Sequence, residues 1–146
     1  MCIRDRYLPE HIYQQVTLHL TSAYPNEGAG FLIGKIIDDQ RSACMILALE
    51  NEWETNETHK RYKIKANTYL EAESTAEKNG LEIIGVFHSH PNHPAKPSEY
   101  DRELALPWWS YLIISIQQKR VDHSRSWVLS ENRDHFIEES LKIESQ

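Results

Sequence analysis

Three side chains in one stretch of the sequence have the types and spacing of a metal site. His88 and His90 follow an apolar run, Leu81 to Phe87, and Asp101 comes after a proline-rich loop. In a β-strand, side chains at i and i+2 share a face, so His88 and His90 aim two imidazoles at one point. Ser98-Glu-Tyr-Asp101 reads as a helix start that returns a carboxylate toward them. Two His and one Asp form a catalytic-type ligand set, which leaves a tetrahedral Zn²⁺ one open position for water. Hydrolysis at such a site also needs a base to take a proton from the water. Glu27, between a helix end and a glycine-rich strand, is the candidate.

The elements that must position these groups can be read from periodicity. Pro9 to Tyr24 is a helix, with Ile12, Val16 and Leu20 at i, i+4 and i+8 and Pro9 in the first turn. Gly28 to Ile37 is a short apolar strand, Asp38 to Gln40 a turn, and Ser42 to Leu49 a second strand that pairs with the first as a hairpin. Asn51 to Lys60 is a polar loop and Arg61 to Lys65 a short strand. Asn67 caps a second helix that runs to Asn79, with Gly80 as its stop and Leu70, Ala72 and Ala76 facing the core. The histidine-bearing strand comes next and Pro91 ends it. A short helix from Ser98 to about Leu106 is closed by Pro107. Tyr111 to Ile116 is a strongly apolar strand, and Ser126 to Leu129 and Phe136 to Ile143 complete the set. The order does not alternate as βαβ throughout, which makes a mixed sheet with a few packed helices the economical architecture.

Each functional residue also has a bland reading. Ser98-x-x-Asp101 is a capping box, in which the serine bonds the backbone of the third helical residue. The two readings are compatible, because a cap also fixes where Asp101 points. Pro94 and Pro97 stiffen the loop before it. Glu27 alone is a solvated loop residue, and His93 is a loop histidine near the site rather than a ligand. His11, His19, His59, His123 and His135 have no ligand spacing and are read as surface or core histidines. Cys44 is read as a small buried hydrophobe.

At 146 residues the chain suits one domain. Its net charge of −6 argues against general nucleic-acid binding. No apolar run approaches the roughly 20 residues of a membrane span, and no signal peptide is visible. Two cysteines, Cys2 and Cys44, give no disulfide framework, so a reduced cytoplasmic setting is the expectation. Residues 1–6 match nothing that follows and are read as a disordered or non-native tail to a domain at 7–146.

Taken together, these positions resemble the JAMM (MPN+) metalloprotease signature. Pro25-x-Glu27-x-x-Gly30-x-Leu32-x-Gly34 is followed by His88-x-His90-Pro91 and then Ser98-x-x-Asp101. The stretches Gly80 to Gly85, Trp109 to Ser115 and Arg61-Tyr-Lys-Ile64 are also similar to the family. The resemblance covers roughly Pro9 to Ile143 and is to the small prokaryotic single-domain type. It implies an α+β fold, a curved mixed β-sheet flanked by helices, close in design to cytidine deaminases. It implies that His88, His90 and Asp101 bind zinc. Glu27 would serve as general base and then as proton donor to the leaving amine, and Ser98 would stabilise the oxyanion. The implied reaction is hydrolysis, through a zinc-activated water, of an amide bond after the C-terminal Gly-Gly of a ubiquitin-like or sulfur-carrier protein.

Two other classes compete. A non-catalytic MPN-type interaction scaffold would lack the metal residues, which are intact here. A general small-peptide metallopeptidase would share the site and differ only in substrate. A zinc nucleobase deaminase would need a Pro-Cys-x-x-Cys pair, and an amidohydrolase barrel would need about 250 residues. The substrate is expected to enter as a flexible, extended tail that pairs with a strand edge.

Overall fold

The structure is a computed structural model and describes residues 5–49 and 64–145. Among these are seven strands and three helices: β1 (Asp5–Pro9), α1 (Glu10–Ala23), β2 (Ala29–Ile37), β3 (Gln40–Ala48), α2 (Ala66–Lys78), β4 (Glu82–Pro91), α3 (Glu99–Leu104), β5 (Ser110–Gln117), β6 (Arg120–Leu129) and β7 (Phe136–Glu144). No helix among the described residues is long and apolar enough to cross a membrane.

Mixed pairing and the expected α+β class are both present, and the sheet also closes. Its strand order is β1-β3-β2-β4-β5-β6-β7, with β1 returning to β7. β1 runs parallel to both neighbours, and β4 runs parallel to β5; the other pairs are antiparallel. The closing strand takes in Asp5 and Arg6, which the sequence reading left in the tail. Local pattern gives no sign of it, because a five-residue strand becomes stable only through partners far along the chain. Closure also narrows the expectation of strand addition. A ring has no end strand, so pairing is confined to stretches that outrun a neighbour, such as β3 beyond Ser42, where its register with β1 stops.

Different helices cover the two faces of the sheet. α1 sets Ile12, Val16 and Leu20 against Leu32, Phe87, Leu112 and Ile114. α2 sets Ala72 and Ala76 against Phe31, Val86, Trp109 and Tyr111. β4 lies between these layers and is buried on both sides from Ile83 to His90. That is why its sequence is a continuous apolar run rather than an alternation. Any polar side chain on it must be satisfied by a specific partner.

Several local expectations need correction. α2 is capped by Lys65, and Asn67 lies inside its first turn. Leu70 is 66% exposed; the stripe that packs is Tyr69, Ala72 and Ala76, at i, i+3 and i+7, and Leu70 falls off that face. Gly80, at φ +67, does end the helix. Cys44 is exposed, not buried. The register of β2 with β3 passes from Ile33↔Met45 to Gly34↔Ala43, so Cys44 is the extra residue of a β-bulge. Ile64 and Lys65 form no strand; 61–63, and the loop expected at 51–60, lie outside the described residues. β6 begins at Arg120, well before Ser126, because Gln118 and Lys119 both take positive φ and make a tight hairpin turn from residues that seldom signal one.

Candidate functional site

The end of β4 and the start of α3 meet at a buried polar cluster. His88 is fully buried, Asp101 is 2% exposed and His90 is 8% exposed. Strand periodicity puts both imidazoles on one face, and their Nε2 atoms stand 3.2 Å apart. Asp101 completes a triangle, with Oδ2 at 3.1 Å from His90 Nε2 and Oδ1 at 3.3 Å from His88 Nε2. The capping box turns the carboxylate toward them. Asp101 N–H donates to Ser98 Oγ at 3.1 Å, and Ser98 N–H donates to Asp101 Oδ2 at 2.8 Å. The cap is therefore real, and its product is the position of Asp101.

These residues fit a small divalent cation. Ligands held at the roughly 2.0–2.1 Å of zinc–nitrogen and zinc–oxygen bonds in a tetrahedron are about 3.3–3.4 Å from one another. The three contacts of the triangle, 3.1 to 3.3 Å, are close to that spacing. Asp101 Oδ1 makes no hydrogen bond although it is buried, which is the state of a lone pair awaiting a stronger partner. The tautomer is set as well. His90 Nδ1 lies 2.9 Å from the Pro94 carbonyl, which can only accept, so that nitrogen carries a hydrogen, and Nε2, beside Asp101, is the nitrogen that would give up its proton to a metal.

Electrostatics agree with this geometry. Burial alone would raise the Asp101 pKa, but the adjacent His88, the hydrogen bond from His90 and the Ser98 N–H hold it far below the usual carboxylate range. Burial pulls the His90 pKa down, yet the Asp101 hydrogen bond and charge, with help from the Pro94 carbonyl and Glu27, leave it raised. Asp101 thus stays an anion and His90 is drawn toward positive charge, the condition a bound cation would satisfy.

Glu27 arrives from the other side of the cluster. It offers a carboxylate oxygen within 4.8 Å of ligand nitrogens of both histidines. It is half-buried, on the segment between α1 and β2. Glu27, His88 and His90 make up the group of possible ligands whose atoms lie this close, whereas Asp101 makes the shorter contacts. The tighter triangle has the spacing a cation site needs, and Glu27 stands at its flank. There Glu27, His90 and Ser98 line a cavity of about 570 Å³ whose other walls include Pro25, Pro94, Lys96 and Tyr100. The structure thus brings together all five site residues read from the sequence. His93 is exposed on the cavity wall and outside the cluster, as expected.

The supports of the loop were not visible in the sequence. Ala95 is fully buried; its N–H donates to His123 Nε2 at 2.9 Å and its carbonyl accepts from Trp127 Nε1 at 3.0 Å. His123 is oriented in turn by Asp122, at 2.7 Å from Nδ1. Ser115 Oγ donates to the His93 carbonyl at 2.6 Å. His123 therefore does more than a default surface histidine, and a partner 28 residues away is beyond any local signal.

Comparison with known proteins follows the same lines. A family model described as prokaryotic homologs of the JAB domain matches residues 9–130. A Thermus thermophilus protein named probable TtuB-protein conjugate cleaving protease is 27% identical over 128 residues, covering 88% of this chain and 78% of that protein. A Pyrococcus furiosus protein named desampylase is 27% identical over 124 residues, covering 85% and 81%. Among solved structures, a Desulfitobacterium hafniense protein superposes with a TM-score of 0.82 at 29% identity, covering 97% of this chain and 94% of that one. A JAB1/MPN domain protein from Archaeoglobus fulgidus shares the fold, with a TM-score of 0.57 at 16% identity over 94% of this chain and 99% of that one.

Proposed function

The chain belongs to the family of prokaryotic homologs of the JAB domain and is a hydrolytic enzyme of that family; from this premise we propose that it is a zinc-dependent isopeptidase. It cleaves the amide bond after the C-terminal Gly-Gly of a ubiquitin-like or sulfur-carrier protein. The observation that carries the reading is the buried His88–His90–Asp101 triangle with Glu27 and Ser98 at the mouth of one cavity. The substrate class takes its support from relatives, one of which is named for cleaving protein conjugates.

His88, His90 and Asp101 would hold the zinc. Bound there, zinc supplies a Lewis acid that polarises an amide carbonyl and lowers the pKa of water toward roughly 7. Glu27 takes a proton from the attacking water, whose oxygen forms the new bond to the carbonyl carbon. Ser98 spends a lone pair on the Asp101 N–H, so its own O–H remains to donate to the carbonyl oxygen as negative charge develops. Glu27 then passes its proton to the amine as the C–N bond breaks. Water is the nucleophile, so no acyl-enzyme forms. Gly-Gly suits the half-enclosed cavity because a tail without side chains lets the backbone approach closely.

The test is mass spectrometry of a sulfur-carrier protein joined through its Gly-Gly terminus to an amino acid, incubated with zinc-loaded enzyme beside a free peptide of the same tail. Release of intact carrier, and slower cleavage of the peptide, is the expected result. Equal cleavage of both would make the chain a general peptidase. Cleavage of neither, with zinc bound, would refute the substrate assignment.

A further inference from the structure

We infer that Ser89, the residue between the two histidines, is a positioning residue for Glu27. The inference rests on the role given to Glu27 above. Because side chains alternate along β4, Ser89 points away from the cation triangle, and it is fully buried. Its hydroxyl oxygen accepts a hydrogen bond from Gly28 N–H at 2.9 Å. Its own N–H donates to the Gly28 carbonyl at 3.1 Å. Gly28 follows Glu27 directly, so the bond to its N–H fixes the Glu27–Gly28 peptide and the bond to its carbonyl fixes the next one.

The pairing is an altered ladder. Ala29 faces His88 in the β2–β4 register, so Gly28 faces Ser89. A hydrogen-bonded antiparallel pair exchanges two backbone bonds. Here one is made by backbone and the return bond ends on the Ser89 side chain. That substitution ends the ladder and lets the chain turn toward the cavity without leaving a buried N–H unpaired. The opposite side of Gly28 is closed as well. A Cβ there would meet Ala23 Cβ at 2.9 Å and Leu20 Cδ2 at 3.0 Å, both on α1. Gly28 is thus gripped between α1 and Ser89. Glu27 can remain half-exposed and polar while its backbone is fixed relative to His88 and His90. The same strand therefore sets both the cation and the base, with alternate residues facing alternate tasks.

The experiment compares Ser89→Thr with Ser89→Val, near-isosteres that keep or remove the hydroxyl, and adds Ser89→Ala. Three readouts are taken: zinc content, Gly28 amide exchange by NMR in the zinc-free protein, and kcat on the carrier adduct. In Ala and Val we expect one zinc retained per chain, faster Gly28 exchange and a kcat lower by about 10- to 100-fold, the usual range for residues that orient catalytic groups. Thr restores the exchange protection and kcat. Protected Gly28 in Ser89→Ala, unchanged kcat in Ala, or an equal loss in Ala and Thr would overturn the inference. Zinc lost in step with activity would also overturn it, by making Ser89 a support of the ligands. If the wild type does not cleave the adduct, the reading of the substrate fails separately, and Gly28 exchange together with the Glu27 side-chain NMR shifts still decides whether Ser89 holds this segment.

Discussion

The two sides of the site are built on different plans. On the β4–α3 side, His88, His90 and Asp101 are buried and interlocked by contacts of 3.1 to 3.3 Å. On the cavity side, Glu27 is half-buried and Ser98 exposed. The difference matches the work proposed for each side. Groups that hold a cation need low dielectric and fixed spacing, which burial supplies at the cost of desolvation that only mutual contacts offset. Groups that act on water and substrate must meet them, so they stand where solvent reaches. Their precision then has to come from the backbone, through the Ser98 capping box and the Ser89 grip on Gly28.

Breaking the buried side should have the largest effect. His88→Ala or Asp101→Ala leaves two protein ligands, which hold Zn²⁺ poorly. Both variants should lose the metal and with it all measurable turnover. Metal analysis of purified protein decides this; full zinc in both would remove the triangle from the ligand role.

On the open side, Glu27→Gln should keep the zinc and the fold while kcat falls by about 10²- to 10⁴-fold, the usual worth of a general base. An unchanged kcat would return Glu27 to a solvated loop residue, and lost zinc would erase the contrast between the two sides.

Ser98 tests whether one residue can belong to both plans. Loss of a cap costs about 1 kcal/mol of stability, whereas loss of an oxyanion donor costs about 10²- to 10³-fold in kcat. Ser98→Asp retains an N-cap and places an anion where the oxyanion would form. It should melt near the wild type and turn over poorly. Wild-type activity in this variant would leave Ser98 as a cap alone.

A smaller effect should appear in the zinc-free protein. The raised pKa of His90 means that its stabilising contribution is complete below the ordinary histidine value of about 6.5 and is lost as pH rises through the folded value. The depressed pKa of Asp101 means that its contribution is present above about 3.9 and is lost as pH falls below it. Their joint contribution is largest between those limits. Urea unfolding in the presence of a chelator should show stability declining from pH 6 to 8, and His90→Gln should flatten the decline. Stability that rises over this interval would contradict the coupling.

The sequence alone determined what is local. Alternation at i and i+2 placed His88 and His90 together, the Ser-x-x-Asp spacing placed Asp101, and apolar runs located β2, β4 and β5. These features depend on backbone periodicity and on bonds within one turn, which neighbouring residues dictate. Tertiary structure decided the rest. It showed that Cys44 sits on a bulge, that Asp5 to Pro9 closes the sheet, that His123 and Trp127 hold Ala95, and that Ser89 meets Gly28. All but the bulge, which depends on the register within one hairpin, need a partner distant in the chain. Ser89 and Gly28 are 61 residues apart, and only the register of β2 against β4 brings that serine beside the residue that follows Glu27.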